Sequence, residues 1–327
     1  MRAISLFSGG LDSMLAIKQI TKQGIDVTAL YIYTGFGGTK DVRDQLAERA
    51  KMAGADFLSV DVRQEYIQDI LFDPVYGYGK NFNPCIDCHG YMFKIAKKML
   101  KDLDASFLVT GEVLGQRPMS QRKDALKQVQ KLAEDKEGLI LRPLSAKLLE
   151  PTKPEIEGWV DREQLLDISG RSRERQLALA KEYGWDDYES PAGGCLLTEP
   201  VYSQKIREFI EFEDFEVEDI DLLKYGRHFR LPNSAKLVVG RHKEDNEALS
   251  KIENKDYTSF RLPVPGPFSL IHKNATEQEQ ELAAKIALTY GKSQKNREYE
   301  VEVMGNIYKV TPFNTKEEAQ KYFFKKF

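Results

Sequence analysis

SLFSGGLDSM, residues 5–14, decides the fold of the N-terminal part of this chain. The apolar residues from Ala3 to Phe7 predict a short buried strand, and the spacing of Met14, Ile17 and Ile20 predicts a helix. The two glycines between them therefore lie at a strand-to-helix turn. The first N–H groups of a helix have no partner and its dipole is positive there, so the turn favours an anion site. The spacing alone fits a tight turn with a helix cap equally well.

The loop is neither a Walker loop nor a Gly-x-Gly-x-x-Gly turn. It resembles the Ser-Gly-Gly-hydrophobic-Asp-Ser loop of the PP-loop ATP pyrophosphatases, which cleave ATP between the α and β phosphates. The resemblance implies an adenine nucleotide alpha hydrolase-like fold and a site that binds ATP with Mg²⁺. Pyrophosphate would be held by Ser8, Gly9, Gly10 and Ser13 and positioned by Asp12 through Mg²⁺. Adenosine would lie between Gly111 and the main chain near Leu30 and Tyr31, after the second strand. Gln116 is either a contact of the nucleotide or target base, or a structural residue.

Length and composition indicate an ordinary globular protein. The 327 residues predict two or three domains, and 41% hydrophobic with 30% charged residues allow a sizeable core. No apolar run reaches 18 residues and Met1 leads directly into the first strand, so we expect no membrane span, no signal peptide and a cytoplasmic location. Nothing in the sequence fixes the oligomeric state.

Strands and helices alternate through the first 150 residues. Apolar runs predict strands at 26–35, 56–62, 106–113 and 138–144, with helices at 41–55 and 91–103, and residues 152–183 read as helical. This order predicts a doubly wound parallel α/β sheet with ligands at the carboxyl ends of its strands. We expect a PP-loop domain over residues 1–198 and a smaller α+β module over 199–327, ending in a hairpin that turns at Gly305-Asn306.

The three cysteines are too few for a disulfide scaffold. Cys85 and Cys88 form a Cys-x-x-Cys before a predicted helix, an arrangement that lowers thiol pKa values and lets two sulfurs share a metal or a disulfide. With Cys195, three thiolates can hold an iron–sulfur cluster and leave one iron open. A zinc site with His89 as fourth ligand is an alternative to the cluster. In a purely structural interpretation, the three cysteines are buried and unconnected.

Two further segments resemble tRNA-thiolating PP-loop enzymes. TGEVLGQRPMSQ, residues 110–121, is similar to a segment of tRNA 4-thiouridine synthases, and NPCIDCHGYMF, residues 83–93, to one of tRNA 2-thiouridylases. The resemblance covers roughly residues 1–200 and implies that a tRNA uridine is adenylated and its oxygen replaced by sulfur. Asp12 and the three cysteines would be catalytic. Sulfur would come from sulfide or a cysteine desulfurase and be carried on a [4Fe-4S] cluster held by Cys85, Cys88 and Cys195, or as a persulfide.

Charge is segregated in the C-terminal part. Eight acids lie between Glu208 and Asp221, whereas no acid occurs from Leu222 to Lys243. The basic stretch RHFRLPNSAKLVVGRHKEDNEAL resembles the RNA-binding module of NFACT-type proteins, which implies phosphate contacts by Arg227, Arg230, Lys236 and Arg241. Alternatively, these cations balance the neighbouring acids. Arg142, Arg171, Arg173 and Arg175 are further candidates for phosphate contacts, although GRSRERQ, residues 170–176, favours a solvated helix start.

Two other function classes stay open at this point. An amide-forming PP-loop ligase would adenylate a small carboxylate, turn over ATP without RNA and not need Cys195. A noncatalytic RNA-binding or metal-sensing protein would bind nucleotide without releasing pyrophosphate.

Overall fold

A parallel sheet of five strands organises the first part of the chain. The computed structural model describes residues 1–38, 42–189 and 194–324, which divide into two compact units, Met1–Thr198 and Glu199–Phe327. The first unit contains β1 (Arg2–Leu6), β2 (Asp26–Tyr33), β3 (Asp56–Asp61), β4 (Phe107–Thr110) and β5 (Ile140–Leu141). All neighbouring strands are parallel in the order β3-β2-β1-β4-β5, so the predicted fold class is confirmed.

Seven α-helices lie among these strands. They are α1 (Leu11–Thr21), α2 (Arg43–Ala53), α3 (Arg63–Tyr66), α4 (Cys85–Lys98), α5 (Lys123–Leu132), α6 (Lys153–Ile156) and α7 (Glu174–Glu182). A π-helical turn at Ile67–Leu71 follows α3, and 3₁₀ turns occupy Ala146–Leu148, Arg162–Gln164 and Leu196–Thr198. Helix α1 packs with α2 and α7, whereas α4 packs with α5.

The strand order reverses at β1, which lies between β2 and β4. Such a switch point opens a crevice at the carboxyl ends of the strands, where ligands bind in this class of sheet. Ala3, Ile4 and Ser5 are all fully buried, as expected of a central strand covered on both faces. Ser8 and Gly9, which follow β1 in the chain, therefore lie at the crevice.

Two helix predictions in the first unit are wrong. Residues 152–183 form only α6, a 3₁₀ turn and α7, because Gly158 (φ 68°) and Gly170 (φ 80°) adopt left-handed conformations that interrupt a helix. Helix α4 begins at Cys85, with Pro84 as its N-cap, rather than at Tyr91. The cysteine pair thus lies in the first turn of a helix.

The second unit is an α+β module. It comprises α8 (Pro200–Phe209), α9 (Val217–Lys224), β6 (Arg227–Arg230), β7 (Lys236–Val239), α10 (Lys243–Leu249), β8 (Tyr257–Phe260), β9 (Ser269–His272), α11 (Glu277–Thr289), β10 (Tyr299–Val303), β11 (Asn306–Val310) and α12 (Lys316–Gln320). An antiparallel sheet has the order β6-β7-β9-β8, and β10 and β11 form the predicted hairpin. Its turn residues are Met304 and Gly305, both with positive φ, one position earlier than predicted. Within the described ranges, no helix has the length and apolarity to cross a membrane.

Candidate active site

The loop after β1 has the backbone shape of an anion site. Gly9 has a φ of 74°, and a Cβ there would collide with the side chain of Leu46. Gly10 is the N-cap of α1, and the Ser13 hydroxyl donates a hydrogen bond to its carbonyl oxygen (2.7 Å). The first N–H groups of α1 are therefore presented at the crevice beside the Ser8 hydroxyl.

Gly111 fixes the position of this loop against β4. A Cβ on Gly111 would lie 2.5 Å from the backbone nitrogen of Ser13 and 2.6 Å from the carbonyl carbon of Asp12. Real Cβ atoms do not approach backbone so closely, so any side chain here would push the start of α1 away. The glycine predicted to border the nucleotide thus also sets the spacing between two strand ends.

Asp12 is the centre of a polar network from three segments. Gln116 Nε2 donates to Asp12 Oδ2 (2.7 Å), and Arg173 Nη2 lies 3.7 Å from the same oxygen. Gln176 Nε2 in turn donates to Gln116 Oε1 (3.1 Å). The prediction of a solvated helix start at residues 170–176 is wrong for Arg173, whose side chain is only 13% exposed, and for the buried Gln176. It holds for Arg175, which is exposed and paired with Asp167.

This network leaves several buried polar atoms unsatisfied. Asp12 Oδ1, Arg173 Nε and Gln176 Oε1 have no hydrogen-bond partner among the described residues. Such atoms are rare because each costs the free energy of desolvation without a compensating bond. A carboxylate oxygen binds cations and a guanidinium N–H binds anions. Asp12 Oδ1 could therefore contact a cation, and Arg173 Nε could contact an anion.

The backbone of Leu30 and Tyr31 is already used by the sheet. Leu30 accepts a hydrogen bond from the N–H of Phe7 (2.9 Å), and Tyr31 is paired with Ser59 of β3. Their backbone groups are therefore engaged within the sheet, and an adenosine contact by the main chain near these two residues stays a prediction. The pairing of β1 ends opposite Leu30 while β2 continues to Tyr33. Because alternate residues direct their backbone groups to the same neighbour, Ile32 is the next residue whose backbone faces the space beyond β1.

The three cysteines share one environment near the end of β2. Cys85 and Cys88 lie in the first turn of α4, and each of the three thiols is close enough to another to affect its pKa. The segment with Cys195 is attached to the strand end by the hydrogen bond from Leu196 N to Phe36 O (2.8 Å). The buried Tyr66 lies next to Cys88, and each group affects the pKa of the other.

The expected lowering of the thiol pKa in the Cys-x-x-Cys pair is wrong for Cys88. Burial, followed by the charge of neighbouring thiolates, raises the pKa of Cys88, and burial raises the pKa of Cys195 to about 11. All three cysteines nevertheless keep part of their surface accessible. Burial outweighs the helix N-terminus, so both thiols keep their protons at neutral pH unless a metal or a base removes them.

The zinc alternative finds no support in the geometry. Within the ranges that the structure describes, no group of three or more His, Cys, Asp or Glu side chains is arranged around a metal-ion position, and this holds for the three cysteines as well as for His89. His89 Nδ1 instead lies 2.8 Å from Glu112 Oε1. Glu112 also accepts from Arg142 Nε (3.0 Å) and is buried; burial opposes ionisation, but Arg142 and His89 outweigh it and lower the pKa of Glu112. Arg142 is thus a buried ion-pair partner, and its prediction as a phosphate contact is wrong.

The predicted phosphate contacts of the second unit are mostly internal. Lys236 is fully buried with its ammonium on Glu208. Arg230 donates to Glu208 and to Glu213 (2.7 Å), with its side chain 11% exposed. These two predictions are wrong, because the acidic run neutralises the cations from inside the module.

The other two predicted contacts reach the surface only in part. Arg227 donates to Gly240 O (3.1 Å) with its guanidinium 4.6 Å from the ring centre of Tyr290. Arg241 has a side chain 44% exposed and is paired with Asp245 (2.6 Å). Arg241 is thus paired with a carboxylate, whereas Arg227 contacts a backbone carbonyl and an aromatic ring.

Comparison with known proteins identifies both parts of the chain. A family model described as thiamine biosynthesis protein (ThiI) matches residues 1–181, and one described as NFACT protein RNA binding domain matches residues 226–323. The resemblances predicted from the sequence are confirmed. More than half of the chain falls in the first match.

Individual relatives are distant. An uncharacterized protein of Methanocaldococcus jannaschii is 31% identical over 115 residues, 35% of this chain and 41% of that protein. A probable tRNA sulfurtransferase of Ureaplasma parvum is 26% identical over 180 residues, 54% of this chain and 42% of the relative. The chain spans less than half the length of these curated relatives. A crystal structure of a 4-thiouridine synthetase–RNA complex with bound ATP aligns with a TM-score of 0.41 and 18% identity, covering 68% of this chain and 52% of that one.

Proposed function

The chain belongs to the ThiI family, and we propose that it is an ATP-dependent enzyme that thiolates RNA, with a tRNA uridine as its target. The relatives named as probable tRNA sulfurtransferases support this reaction, and the match to an RNA-binding domain supports RNA as the substrate. The observation that carries the proposal is the Asp12 network, whose unsatisfied groups lie at the switch point of the sheet.

ATP would bind with its β and γ phosphates on the loop Ser8–Ser13. Mg²⁺ prefers carboxylate and phosphate oxygens, and the buried, unpartnered Asp12 Oδ1 is such a ligand. The free N–H of Arg173 would face the phosphates and stabilise negative charge as it develops on pyrophosphate. Ile32, next to Tyr31, is the proposed main-chain contact of adenine.

The chemistry needs ATP because a uridine carbonyl oxygen is a poor leaving group. Attack of that oxygen on the α-phosphorus releases pyrophosphate and leaves the oxygen as part of an adenylate. Sulfur then adds to the carbon, and the oxygen departs with AMP. Donors preorganised around Asp12 and Gly10 favour the first step without reorganisation when charge moves.

Sulfur delivery is assigned to Cys85, Cys88 and Cys195. Their number and partial burial suit a [4Fe-4S] cluster, which would offer one iron without a protein ligand for sulfide, although the three described thiols are not already arranged around a metal position. The same three thiols also allow persulfide carriage. A cysteine desulfurase would supply the outer sulfur, this sulfur would displace AMP from the adenylated carbon, and a second cysteine would then attack the carrier cysteine's sulfur, forming a disulfide and releasing the thiolated uridine. In both cases Asn83 Nδ2, 3.1 Å from Cys85 Sγ, would hold that sulfur in place.

Pyrophosphate release measured with and without unmodified tRNA tests the proposal. We expect release that depends on RNA in the wild type, that persists in Cys195→Ser, and that is accompanied by RNA thiolation only when Cys195 is present. RNA-independent release, with an acid and ammonia as cosubstrates, would instead identify an amide-forming ligase.

Iron and sulfide content after anaerobic purification separates the two sulfur carriers. About four irons per chain, lost in Cys195→Ser, would support the cluster. Iron-free protein that still thiolates RNA would support the persulfide.

A further inference from the structure

A cleft of about 350 Å³ opens on the second unit between α10 and the segment that joins β8 to β9. Its lining comprises Lys243, Asn246, Glu247, Ser250, Arg261, Leu262, Val264, Gly266, Pro267 and Phe268. All of these residues lie inside the match to the RNA-binding domain, and none is among the predicted phosphate contacts. The volume is at the small end of ligand sites and suits one nucleotide rather than a folded partner.

The cations at the rim of this cleft are available to a ligand. Arg261 is exposed and has no hydrogen bond or ion pair within the part of the chain that the structure describes. Lys243 is 83% exposed, and its nearest carboxylate, on Glu247, is 3.6 Å away. Ion pairs this exposed contribute little and exchange readily. Arg261 and Lys243 thus differ from Arg230 and Lys236, whose charges are neutralised inside the module.

The floor of the cleft suits a nucleobase. Leu262, Val264 and Phe268 are half-buried there and give it an apolar surface with one aromatic ring. Asn246 Oδ1 accepts from the N–H of Phe268 (3.0 Å), which fixes the side-chain amide. Its Nδ2 has no partner among the described residues and is a donor suited to a base carbonyl.

The segment that forms one wall is held in place. Lys292 N donates to Pro265 O (2.8 Å), and a Cβ on Gly266 would lie 2.7 Å from Leu262 and 3.2 Å from Gly291. Close packing on both sides indicates that the cleft exists before a ligand binds, which reduces the entropic cost of binding.

We propose that this cleft binds one unpaired nucleotide of the RNA substrate. Its base would stack on Phe268 and accept a hydrogen bond from Asn246, while the adjacent phosphates contact Arg261 and Lys243. A base can enter such a cleft only when it is not stacked in a helix, so the occupant is a loop, bulge or single-stranded end. This inference rests on the proposed function only in taking RNA as the substrate.

Binding of a fluorescent unmodified tRNA to the full chain, measured by anisotropy over a range of salt, tests the cleft. We expect Arg261→Glu to weaken binding about tenfold or more, and Arg261→Gln to reduce the slope of log K against log salt by about 0.7. Phe268→Leu keeps the apolar contact and removes the ring, with an expected loss of about tenfold. The control Lys309→Gln removes an exposed cation of the hairpin and leaves affinity and slope unchanged.

Wild-type affinity and salt slope in the double variant Arg261→Gln, Lys243→Gln would contradict RNA binding at this cleft. The proposed RNA thiolation would not be affected by that result. Absence of RNA binding by the wild type would instead contradict the proposed function. Photocrosslinking of 5-iodouridine-substituted RNA gives an independent result. We expect a crosslink to residues 261–268, and crosslinks confined to other segments would exclude this site.

Discussion

The crevice of the first unit and the sheet of the second unit use charged residues in opposite ways. At the crevice, Asp12 and Arg173 are brought together at 3.7 Å, and each keeps a buried polar atom without a partner. In the second unit, both carboxylate oxygens of Glu208 are taken, one by Arg230 and one by Lys236. The Asp12 carboxylate therefore keeps an oxygen without a partner, whereas both oxygens of the Glu208 carboxylate are paired and only Nη2 of Arg230 lacks a partner among the described residues of that cluster.

Position in the sheet explains the difference. Asp12 follows the carboxyl end of a parallel strand, where the chain leaves the sheet and side chains converge on open space. Lys236 lies within β7, which has a strand on each side and is buried along its whole length. An ionised group there requires a partner, because an uncompensated buried charge is very costly.

Removing the carboxylate at the crevice should have the largest effect. We expect Asp12→Asn, which keeps an acceptor for Gln116 but loses the charge, to lower pyrophosphate release by at least about 10³-fold with an unchanged unfolding midpoint. The matched control is Asp61→Asn, at the end of β3, whose carboxylate pairs with Arg63 on the surface. Similar pyrophosphate release by Asp12→Asn and Asp61→Asn would contradict the proposed role of the Asp12 carboxylate in binding the ligand.

Removing a cation of the second unit should affect stability instead. We expect Lys236→Ala to lower the free energy of unfolding of that unit by about 3–5 kcal/mol, because Glu208 keeps its charge and loses a partner. Lys255→Ala, which breaks the exposed pair with Glu216, should change it little. Denaturant unfolding of both variants checks this, and equal effects would show that the buried pair is not structural.

The contact between strand ends gives a smaller expected effect. Gly111→Ala should destabilise the first unit by about 1–3 kcal/mol, since the methyl group meets the backbone of Asp12 and Ser13. It should also weaken ATP binding by displacing the loop. Gly38→Ala is the control, because nothing lies within 4 Å of a Cβ there. Equal stability of Gly111→Ala and Gly38→Ala in calorimetry would contradict the tight contact between Gly111 and the start of α1.

A pH dependence of the second unit should be the smallest effect. Burial, helped by Arg241 and Lys236, lowers the pKa of Lys205 to about 7, against about 10.5 for a free lysine. Between these values the unfolded chain holds a proton that the folded chain has lost, so stability rises with pH by up to about 1.4 kcal/mol per unit.

Lys236, whose pKa burial lowers to about 8, acts in the same direction. We expect Lys205→Met to flatten the rise measured by denaturant unfolding between pH 7 and 9, whereas Lys309→Met preserves it. An unchanged slope in Lys205→Met would mean that other groups cause the dependence.

Local pattern predicts those parts of the fold that depend on short segments. The apolar run before Ser8 suffices for β1, and the loop sequence suffices for the turn into α1, because strand period and helix spacing are properties of neighbouring residues. The turn at Met304 and Gly305 was displaced by only one position.

Contacts between distant segments could not be predicted in this way. The local sequence predicts a solvated Arg173 because its partner Asp12 is far away in the sequence. It predicts an exposed Lys236 because the surrounding basic residues give no sign that β7 is buried. Leu30 has its backbone paired with β1 and Ile32 does not, because β1 stops pairing with β2 at Leu30. This depends on the register of the strands, which the sequence does not give. The raised pKa of Cys88 depends on how much protein surrounds it.

The most direct test of the central claim is to count products from one reaction. Anaerobically prepared wild-type protein would be incubated with Mg-ATP, an unmodified tRNA, a thiol reductant and either sulfide or a cysteine desulfurase with cysteine. AMP and thionucleosides would be measured by mass spectrometry. We predict one thiolated uridine per AMP formed, and neither product with Asp12→Asn. AMP formation without any thionucleoside, at the same rate when RNA is omitted, would contradict the account.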